Sequence, residues 1–114
     1  MISRELALHT GSRRIVDVTD EVRAFAAEHG GDGLLHVFLP HATAGLALIE
    51  VGAGSDDDLA RAVDDVLPRD DRWRHRHGSP GHGADHVLPA WISPSLTLPV
   101  LDGRRGGRVV ERRH

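Results

Sequence analysis

The order of elements legible in this chain predicts an α+β fold with a largely antiparallel β-sheet and two main helices. Three observations carry that prediction. Short stretches alternate apolar with polar residues, or are apolar throughout, as strands are. Two windows carry apolar residues at helical spacing instead. The strand-like runs come in neighbouring pairs, giving the order strand, strand, helix, strand, strand, helix, loop, strand.

Each element has its own signal. In "ISRELAL" (2–8), Ile2, Leu6 and Leu8 share one parity, as in a half-buried strand. "RRIVDVT" (13–19) reads as its partner across a Gly11-Ser12 turn. Thr19 or Asp20 then caps a helix with Val22, Phe25, Ala26 and His29 on its stripe, and Gly30 suits its end. "LLHVFLP" (34–40) is apolar on both parities and predicts a central strand, followed after "HATA" by "GLALIE" (45–50), the two set to form a hairpin. Ser55 opens a second helix, with Leu59, Ala62, Val63 and Val66 on one side. Asp56, Asp57 and Asp58 suit its positive end, and Pro68 follows its close. Residues 68–86 read as loop. "SLTLPVL" (95–101) alternates, with Leu96, Leu98 and Val100 facing one way and Ser95 and Thr97 the other. "DGRRGGRVVERRH" (102–114) has only Val109 and Val110 as apolar residues and no strand pattern.

Composition narrows the chemistry. The 114 residues are 39% hydrophobic and 4% aromatic, so the core is built from Leu, Val, Ile and Ala. There is no cysteine, which removes disulfides, thiolate metal sites and a thiol nucleophile. There is no lysine either, so Schiff-base chemistry and a P-loop lysine are absent. A net charge of −3 argues against a general nucleic-acid binder. No apolar run is long enough to span a membrane. The first residues have no hydrophobic core and carry a glutamate, which argues against a signal peptide. The expectation is a soluble, cytoplasmic protein.

The candidate chemistry lies in "HRHGSPGHGADH" (75–86), which holds four of the nine histidines. Neutral imidazole is a common metal ligand, and three histidines with an open position make a familiar zinc arrangement. His75 and His77 are two apart; His82 and His86 are four apart, as on one helical face, although Gly81 and Gly83 favour a loop. His41 sits just beyond a strand end, and Glu50 ends the next strand. The spacing matches no established zinc pattern, so two readings stay open, a metal site or a solvated histidine-rich loop. His36, inside an apolar strand, reads as a hydrogen-bonded core histidine. Arg72, Arg74 and Arg76 surround Trp73, a set that suits phosphate and a flat heterocycle but also fits a tryptophan under a solvated loop. Ser95 and Thr97 offer hydroxyls, as any polar strand face does.

"GLLHVFLPHATAGLALIE" (33–50) and "WRHRHGSPGHGADHVLPAWISPSLTLPV" (73–100) resemble, in order and separation, the two signatures of the YjbQ-like family, named for secondary thiamine-phosphate synthase activity. "VTDEV" (18–22) resembles that family's entry into its first helix. The resemblance makes residues 1–103 a YjbQ-like domain and sets 104–114 apart as an Arg-rich tail. It implies a compact α+β sandwich, a homotrimer, and a site lined by His41, Glu50, His75 and His86, with Thr43 and residues 78–85 nearby. It implies a divalent metal there, zinc or magnesium, with His41, His75, His82 and His86 as ligands. The implied reaction joins a pyrimidine methyl diphosphate to a thiazole phosphate. Arg74 or Arg76 would help neutralise the leaving diphosphate, and Trp73 would carry the pyrimidine. The partners expected are a small phosphorylated substrate and further copies of the chain, with no nucleic acid and no membrane. The alternative is a metal- or anion-binding protein without strong catalysis.

The chain departs from the family in three places. Ile49 precedes Glu50 where the family has asparagine, which removes one polar contact. Gly81-His82-Gly83-Ala84 replaces a Gly-Asp-Gly-Asn loop, which puts an imidazole where an acid is usual. "RGGRVVERRH" stands where the family has a hairpin with Gly-Thr-Trp-Gln and a final strand. The expectation is a truncated or frame-shifted end that leaves a sheet edge uncovered.

Overall fold

Leu35 and Val37 face the same side as Leu96, Leu98 and Val100, and this shared apolar face fixes half of the fold. The computed structural model describes residues 1–75, 78, 81–103 and 109–113, the last group as backbone. Its elements are β1 (Ile15–Asp17), α1 (Thr19–His29), β2 (Gly33–Phe38), β3 (Ala44–Leu48), α2 (Ser55–Val66), α3 (His82–Trp91), β4 (Ser95–Val100) and β5 (Val109–Arg113). β2 and β4 form one two-stranded sheet, and β1, β5 and β3 form a second in that order. Every pairing is antiparallel. The α+β class is as predicted, with three helices among the described residues in place of two.

The register sets Leu35 opposite Leu98 and Val37 opposite Leu96. That face packs on Val18, Val22 and Ala26 at α1, making the first core cluster. Each fully buried aliphatic side chain there contributes about 1.5–3 kcal/mol. The second cluster joins Val63 and Leu67, from the end of α2, to Ala84 and Leu88 of α3, with Trp73 and Ile92 packed on it.

Two backbone bonds stitch α3 and both sheets together. Leu46 N–H donates to Ser93 O, and Leu39 N–H donates to Pro94 O, both at 2.8 Å. Gly45 makes the first possible. A Cβ there would lie 2.2 Å from Ile92 O, so only glycine lets β3 run this close to the end of α3.

Several sequence expectations are corrected. Residues 2–8 form no strand. Leu8 packs on the first cluster, Arg4 pairs with Glu28 and lies over the Phe25 ring, and Ile2 and Leu6 stay exposed. The alternation marked a core-facing side chain, not a backbone with a ladder partner. α1 is capped by neither Thr19 nor Asp20; Asp17 Oδ1 accepts from Thr19 N–H at 3.0 Å. "LLHVFLP" and "GLALIE" do not pair as a hairpin, because β2 takes β4 and β3 takes β5. Residues 82–91, the first half of them read as loop, form α3. Its glycines sit where helix entry and close packing need them, and Pro89 lies inside it. The tail expected to lack a strand contributes β5, whose backbone fills the gap between β1 and β3. No helix among the described residues is long and apolar enough to cross a membrane.

Candidate metal centre

The centre is built on the first turns of α3. His82 and His86 lie one helical turn apart and therefore share a face. Their Nε2 atoms are 2.8 Å apart, and their ring centroids 4.4 Å. Gly81 enters the helix with a φ of 82°, a left-handed backbone that suits glycine.

His75 arrives from the segment that follows α2. Trp73 Nε1–H donates to Pro68 O at 2.7 Å, which folds this segment back on itself. Gly83 then admits it to the helix, since a Cβ there would lie 2.4 Å from Trp73 Cβ and 2.7 Å from His75 O. Arg69 presses Gly81 as closely, its carbonyl oxygen 2.9 Å from where a Cβ would be. The His75 ring reaches within 4.0 Å of the His86 centroid and 6.1 Å of the His82 centroid. One ligand atom from each of His75, His82 and His86 lies within 4.8 Å of the other two.

Beneath them sits Asp85, a carboxylate with a side chain only 6% exposed. Its Oδ2 accepts from Arg69 Nη2 at 3.2 Å, and His82 Nδ1 lies 3.6 Å from the same oxygen. An anion in the first turn of α3 also meets the positive end of the helix dipole. Nearby, the hydrogen bonds that Arg14 donates to the Asp64 carboxylate hold its guanidinium above its ordinary range against the opposing effect of burial, with the charges of Asp64 and Asp85 adding to the rise.

The donor set is all nitrogen. With zinc–nitrogen bonds of about 2.0–2.1 Å, tetrahedral ligands stand about 3.3 Å apart. The Nε2 atoms of His82 and His86, 2.8 Å apart, are close to that spacing, and the His75 ligand atom lies within 4.8 Å of both. Such a set fits zinc or another imidazole-loving metal and leaves a position open, whereas magnesium demands oxygen ligands.

The other candidates lie elsewhere or act locally. His41 is exposed on the β2–β3 connection and outside the three-histidine group. Its Nδ1 accepts from Thr43 N–H at 3.1 Å, with Thr43 Oγ1 also at 3.1 Å. In the neutral ring the proton then sits on Nε2. Glu50 is exposed just past β3 and also outside the group. Trp73 is half-buried on the second core cluster. Arg74 is exposed beside His75, and Arg76 lies outside the described residues, as does His77. Thr97 Oγ1 meets His36 Nδ1 at 2.9 Å across β2 and β4, which places His36 on the exposed face of that sheet rather than in the core. Ser95 lies on the same strand, its N–H donating to Ser93 Oγ at 3.2 Å.

Sequence reasoning gives Asp85 only as an acid close to the histidine loop, with no role in the centre, and passes over Arg69. The signal for Asp85 was its offset of three from His82, which has meaning only once residues 82–91 are helical. Arg69 carried no signal, because its approach depends on Gly81.

The chain matches, over residues 4–106, the family model described as UPF0047 protein YjbQ-like. A UPF0047 protein of Mycobacterium bovis is 62% identical over 99 residues, covering 87% of this chain and 76% of that protein. A UPF0047 protein of Archaeoglobus fulgidus is 29% identical over 101 residues, covering 88% and 78%. Among solved structures, a hypothetical protein of Aeropyrum pernix K1 superposes with a TM-score of 0.78 at 25% identity, covering 88% of this chain and 78% of its own. A YbjQ-like protein of unknown function from Sulfolobus solfataricus P2 gives 0.82 at 20% identity, covering 92% and 80%, a likeness of fold alone.

Proposed function

This chain belongs to the YjbQ-like UPF0047 family, and on that premise we propose that it is a metal-dependent secondary thiamine-phosphate synthase. The observation that carries the reading is the convergence of His75, His82 and His86 within 4.8 Å. These three would hold a divalent metal, zinc before magnesium on the nitrogen donor set. Bound there, the metal would supply positive charge to a diphosphate leaving group. Arg74, exposed at the rim beside His75, adds a guanidinium suited to phosphate oxygens. His41, Thr43, Glu50, Ser95 and Thr97 belong to the wider substrate surface in this reading. The protein acts in the cytoplasm.

The working unit in this proposal is a homotrimer. Leu34 and Phe38, 78% and 62% exposed, stand on the outer face of β2, an apolar surface that a second copy would cover. Light scattering on the purified protein is expected to give three times the chain mass.

One observation favours a second reading, a metal-binding protein without catalysis. The carboxylate beside the histidines is buried and paired with Arg69, and Glu50 lies outside their group. One experiment separates the readings. The protein is loaded with zinc and given hydroxymethylpyrimidine diphosphate and thiazole phosphate. Thiamine phosphate formed by the wild type and lost in His86→Ala supports the synthase. Tight zinc without product supports the binding protein. Equal zinc affinity in wild type and His86→Ala overturns both.

A further inference from the structure

We infer that Asp85, held by Arg69, is the positioning residue of the three-histidine centre, and that it fixes which nitrogen of His82 faces the metal. The inference rests on the metal-site reading above and adds a role for two residues outside its ligand set.

A carboxylate this deeply buried is costly unless charged or hydrogen-bonding groups surround it. Asp85 has two such groups on one oxygen, Arg69 Nη2 at 3.2 Å and His82 Nδ1 at 3.6 Å. The second distance is ion-pair range, slightly beyond a hydrogen bond. A small turn of the His82 ring closes it. The opposite nitrogen of that ring, Nε2, is the one directed at His86 Nε2, 2.8 Å away. The ring therefore has a carboxylate at Nδ1 and the metal-facing position at Nε2. With the proton of the neutral ring drawn to Nδ1 by the carboxylate, the Nε2 lone pair points into the centre.

The ring is also held from the other side. A Cβ on Gly78 would lie 3.0 Å from His82 Cδ2 and 3.2 Å from His82 Cγ, so the backbone at residue 78 rests on the imidazole. Arg69 completes the support from the far end of α2. Its side chain is 40% exposed, so it can be changed with little disturbance of the core. A purely structural role would tie the end of α2 to α3 and leave the tautomer of His82 unaffected.

The test uses zinc titration of the whole chain, with circular dichroism of each metal-free variant. Asp85→Asn and Arg69→Met are expected to bind zinc about 10- to 100-fold and about tenfold more weakly than wild type, the range typical of residues that orient a metal's ligands. Nitrogen NMR of the zinc-loaded wild type is expected to show His82 protonated at Nδ1, with that signal shifted or lost in Asp85→Asn. His86→Ala is the control for the site itself. If it binds zinc as wild type does, the metal-site reading fails. If it loses zinc while Asp85→Asn and Arg69→Met retain wild-type affinity and the Nδ1 signal, the positioning role fails and the site stands. Should Asp85→Asn not fold, Arg69→Met alone decides by the same two readouts.

Discussion

The contact of α1 with β2 and β4, and the contact of α3 with α2, are both apolar, yet they are put together differently. The first is made by side chains alternating along two strands and stepping along one helix. The second has Leu88 fully buried at its centre, but glycines at 81 and 83 bring backbone onto helix, and Trp73 and Asp85 supply polar ties. The first region is a foundation, and the second is a mount for three imidazoles. Periodic apolar burial suffices for the one, whereas the other needs particular residues at particular points.

The largest expected effects test whether the two regions are separate. Leu88→Ala removes a side chain with no exposure and is expected to cost about 3–4 kcal/mol and to weaken zinc binding, because α3 carries His82 and His86, two of the three proposed ligands. Leu98→Ala, in the first region, is expected to cost about 3 kcal/mol with zinc affinity unchanged in the folded protein. Urea unfolding beside zinc titration reads both, and a loss of affinity in folded Leu98→Ala breaks the distinction.

A smaller effect sharpens it. Gly83→Ala is expected to destabilise by about 1–3 kcal/mol and to lower zinc affinity, since its methyl group displaces Trp73 and His75. Gly33→Ala, in β2, meets nothing within 4 Å and is expected to change stability by less than about 0.5 kcal/mol. Equal stability in the two variants would show that the close approach at α3 is not needed.

The smallest effect concerns an ion pair on the loop between α2 and His75. Hydrogen bonds from Arg72 hold the Asp70 carboxyl below its ordinary value of 3.8. A lowered folded value stabilises above the unfolded value and is lost as pH falls through the folded one. The pair is exposed to solvent, so Asp70→Asn is expected to melt with the wild type at pH 7 as at pH 3. A lower melting temperature at pH 7 alone would add this loop to the polar ties of the mount.

The same contrast explains what was legible in the sequence. α1, α2 and β4 were readable because 3.6-residue and two-residue periods are themselves records of burial. α3 was hidden because Gly81, Gly83 and Pro89 all speak against a helix locally, and only tertiary contact, of Arg69 with Gly81 and of residues 73–75 with Gly83, makes those glycines useful. The pairing of β2 with β4 rather than with β3 was not readable, since apolar runs do not name their partners. His82 and His86 were visible as a four-residue spacing, but Asp85 and Arg69 gained meaning only from the fold.

The place of β5 bears on how the chain is made. β1 and β3 do not pair with each other; each borders β5. On the ribosome, which adds about 5–20 residues each second, both strands emerge long before residues 109–113 exist. The β2–β4 sheet can close only when β4 has been synthesised, and the other sheet must wait longer still. Its strand edges therefore stay open until β5 has been made, an interval in which they can pair with another chain.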